Sequence, residues 1–556
     1  MFVDRVSGSR LTEDLARSMT AQGLWRDLPL GVFQEQSAAR DPRKPAIVAH
    51  QAGTNDRVEL TYAEYQTQSF ALATSLTELG VKPGDVVAVQ LPNWWEFAVS
   101  AFAILRLGAI YTGLLPDFRE REVSFILKRT KAKVLIVASE LRGFSYQQLL
   151  EELRPALPDL EHVVFVRGTS HFPGGALRFQ DLIGRRSGTE QDHVDPNWIA
   201  NIGFSSGTTG EPKGIINTHN TFEAVLRSFV AMQGSYAMGQ DLVNLIASPI
   251  AHNTAFLWGV VATAYLGGTA VLLDRWDPSH ALDVISRERV TATVWAPTFL
   301  RDLLNCPRRS GSDLSTLRFI CIAGAPIPRS LISDAEGELQ CFVCPAWGMT
   351  EYGIGIAGSK DLPPHEVQAT DGVPVWPCRA RIVNAEDQPE IDGIDGDLQI
   401  TGPGLFMGYF KRPDLTLETF TGDGWFRTGD RAVRTASGYY KLTGRSKDII
   451  IRGGENIPVV EVEGLLHELP EVIDVAIVGI PDERLGERAC AFVVLRRGAK
   501  LSLEAANEFL LNRGLTKRYL PERLEVVLQL PKTPSGKIQK YRLRELVTKE
   551  FQPGER

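Results

Sequence analysis

Short apolar runs at 45–49, 84–91, 133–138, 162–166, 242–246, 269–273, 292–295 and 318–322 alternate with amphipathic helical stretches such as 32–39, 64–79 and 97–107. This alternation limits the fold more than any other feature, because strands separated by helices pair into largely parallel sheets covered on both faces. Val86-Val87-Ala88-Val89 reads as a buried strand, and Gly80 stands where a cap would close the helix 64–79. At 556 residues the chain is too long for one core and should divide into at least two domains. With 44% hydrophobic and 23% charged residues it reads as an ordinary globular protein. A net charge of -7 gives no sign of nucleic acid held by bulk electrostatics. The longest apolar run starts at Phe97 and is interrupted by Arg106, short of the ~20 residues of a membrane span.

Outside the alternating region the pattern differs. The polar residues before about position 30 read as a surface arm ending near Trp25. After Asp371-Gly372-Val373-Pro374, turns rich in Gly, Asp and Pro separate short strands at 380–383 and 396–401, as in an antiparallel, barrel-like subdomain. Gly444-Arg445-Ser446-Lys447-Asp448 is a polar turn between apolar strands and marks a domain boundary. The expected fold class is therefore α/β, with a large N-terminal domain (1–445) of mainly parallel sheets flanked by helices plus the small barrel-like subdomain. A small mobile α+β domain (446–556) follows, near neutral with 18 Lys and Arg against 17 Asp and Glu. The six Cys and the absence of a secretory leader predict a reduced, cytoplasmic protein. Cys341-x-x-Cys344 lies in an apolar run and reads as core rather than as a metal or redox pair.

Residues 204–215 read Phe-Ser-Ser-Gly-Thr-Thr-Gly-Glu-Pro-Lys-Gly-Ile. Hydroxyls, flexible backbone and one cation in so short a span suit a nucleotide phosphate, through Ser205, Ser206, Gly207, Thr208, Thr209, Gly210 and Lys213. A P-loop would need Gly-Lys followed by Ser or Thr, whereas here Pro212 precedes and Gly214 follows the lysine. The stretch resembles the phosphate loop of the adenylate-forming superfamily, which includes acyl-CoA synthetases, amino-acid adenylation domains and beetle luciferase.

Four further motifs, aromatic-Gly-x-Thr-Glu, Thr-Gly-Asp, Gly-Arg-x-Lys-Asp at 444–448 and Pro-x-Gly-Lys, carry that resemblance in the family's order, and it covers about residue 30 to the end. Trp347-Gly348-Met349-Thr350-Glu351 resembles the aromatic-Gly-x-Thr-Glu motif. The resemblance implies an aromatic ring beside adenine, a threonine at the α-phosphate and a glutamate, Glu351, holding Mg²⁺; here Trp347 replaces the commoner tyrosine and loses its hydroxyl. Thr428-Gly429-Asp430 supplies a carboxylate suited to the two ribose hydroxyls, assisted by Arg445. Gly324-Ala325-Pro326, after the strand 318–322, resembles the turn that lines adenine, although a plain strand-ending turn reads nearly as well. Near the end, Pro531-Lys532-Thr533-Pro534-Ser535-Gly536-Lys537 resembles the loop of the family's mobile catalytic lysine. Lys537 would enter between a carboxylate and the α-phosphate and offset both charges.

The branch within the family rests on weaker signals. Residues 444–457 are similar to the acyl-CoA synthetase hinge, with Lys447 as pivot and Gly453-Gly454 leaving room for a thiol. Where amino-acid-adenylating relatives carry an aspartate for the substrate ammonium, this chain has Ala251-His252-Asn253-Thr254. His252-Asn253 resembles ligases for hydroxylated aryl acids, and Leu91-Pro92-Asn93-Trp94-Trp95-Glu96-Phe97 those for medium-chain or cyclohexanecarboxylate-type acids. The resemblance implies an ATP- and Mg²⁺-dependent acyl-CoA ligase with coenzyme A as co-substrate and with Lys537, Thr350 and His252 as catalytic residues. Its partners would be the carboxylic acid, ATP and CoA, with no nucleic acid, no membrane span and a homodimer left open. An acyl-AMP ligase serving a carrier protein stays open as the alternative.

Overall fold

The computed structural model describes residues 9–52, 56–168, 175–184, 193–205, 212–446, 450–452, 455–482, 484–533 and 536–550. Two sheets build the large domain. A nine-stranded sheet runs in the order Val373–Pro374, Gly353–Ala357, Phe342–Met349, Phe319–Ile322, Ala292–Trp295, Val243–Ile246, Thr269–Leu273, Pro45–His50, Arg57–Thr61. From Phe342–Met349 to Pro45–His50 the pairs are parallel, and both edges are antiparallel. A seven-stranded sheet places Lys213–Thr218 at its edge, then Ile199–Ser205, Ile110–Gly113, Val86–Gln90, Val134–Ala138, His162–Val166 and Leu177–Arg178. Strands such as Val86–Gln90, Val134–Ala138 and Thr269–Leu273 are buried at every position, as parallel strands covered on both faces must be.

Local rules explain the helices between them. The helix Tyr62–Glu78 starts at a capping box, in which Thr61 accepts from the Glu64 amide while the Glu64 carboxylate takes the Thr61 amide. It ends before Gly80, whose φ of +82° is the left-handed conformation that a glycine adopts without strain. One apolar cluster joins both sheets, and a second lies on the other face of the nine-stranded sheet, under the helices Pro278–Glu288 and Arg329–Leu339. Cys341 and Cys344 are buried free thiols on Phe342–Met349 and its approach.

A four-stranded antiparallel sheet follows in chain order: Arg379–Val383, Asp395–Thr401, Phe426–Arg434 and Tyr440–Arg445. The small domain is a five-stranded sheet around the long pair Val472–Asp482 and Gly486–Leu495, with an apolar cluster on each face. Over residues 9–29 the expected surface arm is corrected in part: Glu13–Ala21 is a helix capped by Thr12 with no buried residue, but Trp25, where the arm was to end, is 1% exposed. The Trp25 indole donates to Pro403 O at 2.9 Å, and the Leu30 amide to His219 Nδ1 at 3.2 Å, so this segment is sewn to the large domain. Its many polar residues hid a few buried contacts to partners almost two hundred residues away or more.

Candidate active site

The phosphate-loop motif is carried by a hairpin. Ile199–Ser205 and Lys213–Thr218 pair antiparallel, with Ser205 opposite Lys213. Ser206, Gly207, Thr208, Thr209 and Gly210 lie outside the described residues. Residues 407–410 run along the outer strand: the Met407 amide donates to Ile216 O at 2.7 Å, the Ile216 amide to Gly408 O at 3.1 Å and the Phe410 amide to Gly214 O at 2.8 Å. This register brings the Tyr409 ring beside Lys213, whose Nζ is 5.0 Å from the ring centroid.

Tyr409 leads to the proposed metal carboxylate. Its hydroxyl donates to Glu351 Oε1 at 3.0 Å across 58 residues of sequence, a partnership with no sequence signal. Glu351 is buried in the turn between Phe342–Met349 and Gly353–Ala357. A Cβ on Gly348 would collide with Gly353 O, so the motif's glycine permits a backbone approach that no other residue allows. Burial pushes the Glu351 carboxyl up, while the Tyr409 hydroxyl and the charges of Arg445 and Lys213 pull it back toward the ionised form. Among the described residues no group of three or more His, Cys, Asp or Glu could hold an ion. A single carboxylate beside a phosphate site still fits Mg²⁺, which commonly takes one or two carboxylates together with substrate phosphates and water.

Around Asp430 the geometry is closed. Asp430 and Arg445 are paired residues of neighbouring antiparallel strands, and Arg445 Nε lies 3.0 Å from Asp430 Oδ1. The other carboxylate oxygen, Oδ2, accepts from the Trp347 indole at 3.0 Å, and the Asp430 amide donates to Thr428 Oγ1 at 3.0 Å. Replacing tyrosine by tryptophan therefore costs a hydroxyl but gains a donor that orients this carboxylate. Gly324 has φ +86° at the end of Phe319–Ile322, and a Cβ there would meet nothing within 4 Å, so the Gly324-Ala325-Pro326 turn opens onto free space. Met349 and Thr350 are half-buried between these two ends.

The small domain meets the large one at Thr298 and Arg301. Gly536, at φ +83°, sits so close to Thr298 that a Cβ would strike its hydroxyl, and Thr298 Oγ1 donates to Gly536 O at 3.5 Å. The next residue is Lys537, whose amide donates to Thr533 Oγ1 at 3.0 Å. Burial first, and then the nearby positive charge of Lys537, push His252 down to about 4. The imidazole is thus neutral near pH 7, with Nδ1 3.3 Å from Thr254 Oγ1. A second tie joins the domains: Arg301 Nη1 lies 2.5 Å from His467 Nδ1 and donates to Ile473 O at 3.2 Å. Neither Thr298 nor Arg301 was marked by the sequence. Lys447, Gly453 and Gly454 lie outside the described residues.

The hairpin with Ser205 opposite Lys213, the Trp347–Asp430–Arg445 cluster and the approach of Gly536 to Thr298 bring together the stretches singled out in the sequence. The family described as AMP-binding enzyme matches residues 34–410, and its C-terminal domain matches residues 461–537. The medium-chain fatty-acid–CoA ligase of Escherichia coli (strain K12) is 34% identical over 524 residues, covering 94% of this chain and 91% of that protein. The 2-hydroxy-7-methoxy-5-methyl-1-naphthoate–CoA ligase of Streptomyces carzinostaticus is 34% identical over 546 residues, covering 96% and 95%. Among solved structures, the anthranilate CoA ligase AuaEII in complex with anthranoyl-AMP superposes with a TM-score of 0.84 at 26% identity, covering 94% of this chain and 97% of that one. The chain belongs to the AMP-binding enzyme family and is an adenylate-forming ligase. No helix among the described residues is long and apolar enough to cross a membrane.

Proposed function

We propose that the chain joins a carboxylic acid to CoA in two steps, first forming an acyl-adenylate from ATP and then passing the acyl group to the thiol with release of AMP. The observation that carries this reading is the approach of Gly536, the residue before Lys537, to Thr298 of the large domain, with the charge of Lys537 near enough to act on His252. A carboxylate and an α-phosphate repel each other, and a cation placed between them lowers that barrier as the bond forms. Lys537 supplies the cation. Thr350 contacts the α-phosphate, and neutral His252 shapes the acyl end without adding a second positive charge.

Ser205 to Gly210 and Lys213 hold the β- and γ-phosphates, Asp430 with Arg445 holds the ribose, and Trp347 with residues 324–326 flanks the adenine. Glu351 would hold Mg²⁺ together with the phosphates, and the ion would offset phosphate charge there. The domain boundary falls at 445/446, and the turn of the small domain about Lys447 withdraws Lys537 and presents Gly453-Gly454 to CoA. The acid is medium-chain, alicyclic or aryl.

A panel of such acids, scored for pyrophosphate exchange without CoA and for AMP release with it, tests both halves. Acid-dependent exchange and CoA-dependent AMP release are expected. No exchange with any acid would refute the adenylation half, and exchange without thioester would move the acyl group to a carrier protein.

A further inference from the structure

The helix Pro297–Leu304 of the large domain holds the loop of Lys537 by more than the contact of Thr298 with Gly536. One turn further along, Arg301 places Nη1 2.5 Å from His467 Nδ1 and donates to Ile473 O at 3.2 Å. A guanidinium can only donate, so Nδ1 is a bare acceptor and the proton of the neutral ring sits on Nε2. Nε2 faces Asp474 Oδ1 at 3.8 Å, and the second oxygen, Oδ2, lies 2.7 Å from Lys532 Nζ.

Lys532 stands at the base of the lysine loop. It bridges Ile538 across the loop, the Thr533 amide donates to Lys537 O at 2.8 Å and the Lys537 amide donates back to Thr533 Oγ1 at 3.0 Å. One imidazole therefore touches the docking contact on one side and, through a single carboxylate, the support of the loop on the other. The remaining charges around it are taken. Asp302, next to Arg301, accepts from the Trp276 indole at 2.9 Å. On the helix Val459–Leu466, which leads into His467, Glu463 is paired with Lys540 at 2.6 Å and accepts the Ile477 amide. Glu468 is paired with Arg513 at 2.8 Å. The ring thus meets two cations, Arg301 and Lys532, and one carboxylate, Asp474, that Lys532 already neutralises.

We infer that His467 is a positioning residue for the first half-reaction: its unprotonated Nδ1 receives Arg301 while the small domain is docked, and through Asp474 and Lys532 it steadies the loop that brings Lys537 to the site. The inference rests on the two-step reading with a turning small domain proposed above, and it names the side chain that ties docking to the placement of the lysine. Small misplacements of a reacting group are costly, so steadying the loop bears directly on rate.

A proton on Nδ1 removes the acceptor and sets a cation against the guanidinium, so acid opposes docking. Burial first, and then the charges of Arg301 and Lys532, hold the docked ring well below its ordinary value. When Arg301 departs, the ring moves back toward that value, near 6.5, and takes the proton more readily. Docking is therefore fully favoured above about pH 6.5 and weakens as the pH falls below it, by at most about tenfold per unit.

The test measures single-turnover adenylation, and thioester formation from supplied acyl-adenylate and CoA, in the full-length enzyme between about pH 5.5 and 8. In the wild type the ratio of the first rate to the second is expected to fall by about threefold to tenfold per unit below pH 6.5. His467→Asn keeps an acceptor oxygen near the place of Nδ1 but does not titrate, so it should retain most adenylation near neutrality and flatten the ratio. His467→Phe keeps a ring without the acceptor, so adenylation should fall several-fold near neutrality, with the KM for ATP unchanged and thioester formation not reduced. A wild-type ratio that is flat with pH would overturn the inference even if neither variant folds. The same pH profile in His467→Asn as in the wild type, or an equal fall of both half-reactions in a folded His467→Phe, would overturn it too, while leaving the two-step reading intact. Absence of pyrophosphate exchange with every acid would overturn that reading, and the inference with it.

Discussion

The two ends of the site are built differently. The end around Asp430 and Glu351 is made within one domain: Asp430 is held through both oxygens by Trp347 and Arg445, and Glu351 by Tyr409. The lysine end is assembled across domains through the close approach of Gly536 to Thr298 and the bonds of Arg301 to His467 and Ile473 O. Substrate binding favours preformed geometry, because ordering is then already complete before the ligand arrives. A group needed in only one of two steps gains from being removable. On the proposed mechanism, the difference separates what stays for both half-reactions from what serves the first alone.

The largest expected effect breaks the removable end. Lys537→Ala should slow adenylation by about a hundredfold or more, the loss of ~3 kcal/mol from a charge-assisted contact in the transition state. Thioester formation from supplied acyl-adenylate and CoA should stay within several-fold. Equal loss of both half-reactions in a folded, ATP-binding variant would show that the lysine serves both steps. At the fixed end, Glu351→Gln should raise the Mg²⁺ concentration needed for half-maximal exchange and cut turnover by about tenfold or more, as the carboxylate proposed for the ion is lost. A Mg²⁺ titration superimposable on the wild type would place the ion on other ligands.

Trp347→Phe sharpens the comparison, since it keeps a ring and removes only the donor to Asp430. A hydrogen bond to a charged group contributes about 1.5–3 kcal/mol, so the KM for ATP should rise on the order of tenfold. Its effect should reach both half-reactions that hold AMP, unlike that of Lys537→Ala. The smallest effect is expected from Arg301→Ala, which loosens the docking of the small domain without touching substrate. Adenylation should fall several-fold with an unchanged KM for ATP, and thioester formation should not fall. A fall in both would mean that Arg301 stabilises the fold rather than one arrangement of the domains.

Contiguous patterns were legible in the sequence. The strands 162–166, 269–273 and 292–295 coincide with those observed, because an apolar run between turn residues defines a buried parallel strand by itself. The proposed site motifs stand out in the sequence for a similar reason. Trp347 to Glu351, Thr428 to Asp430 and Gly536-Lys537 each pack their chemistry into a few adjacent residues. The sequence by itself determined the α/β alternation, the need for more than one core and the residues bearing charge, hydroxyls and glycine at the site. Only the tertiary structure decided their partners. That the Trp347 indole meets Asp430, that Tyr409 caps Glu351 and that Trp25 is buried against Pro403 are facts of register between distant strands. A hydrogen bond depends on distances of a few tenths of an ångström, set by the packing of whole sheets and invisible in the spacing of residues along one chain.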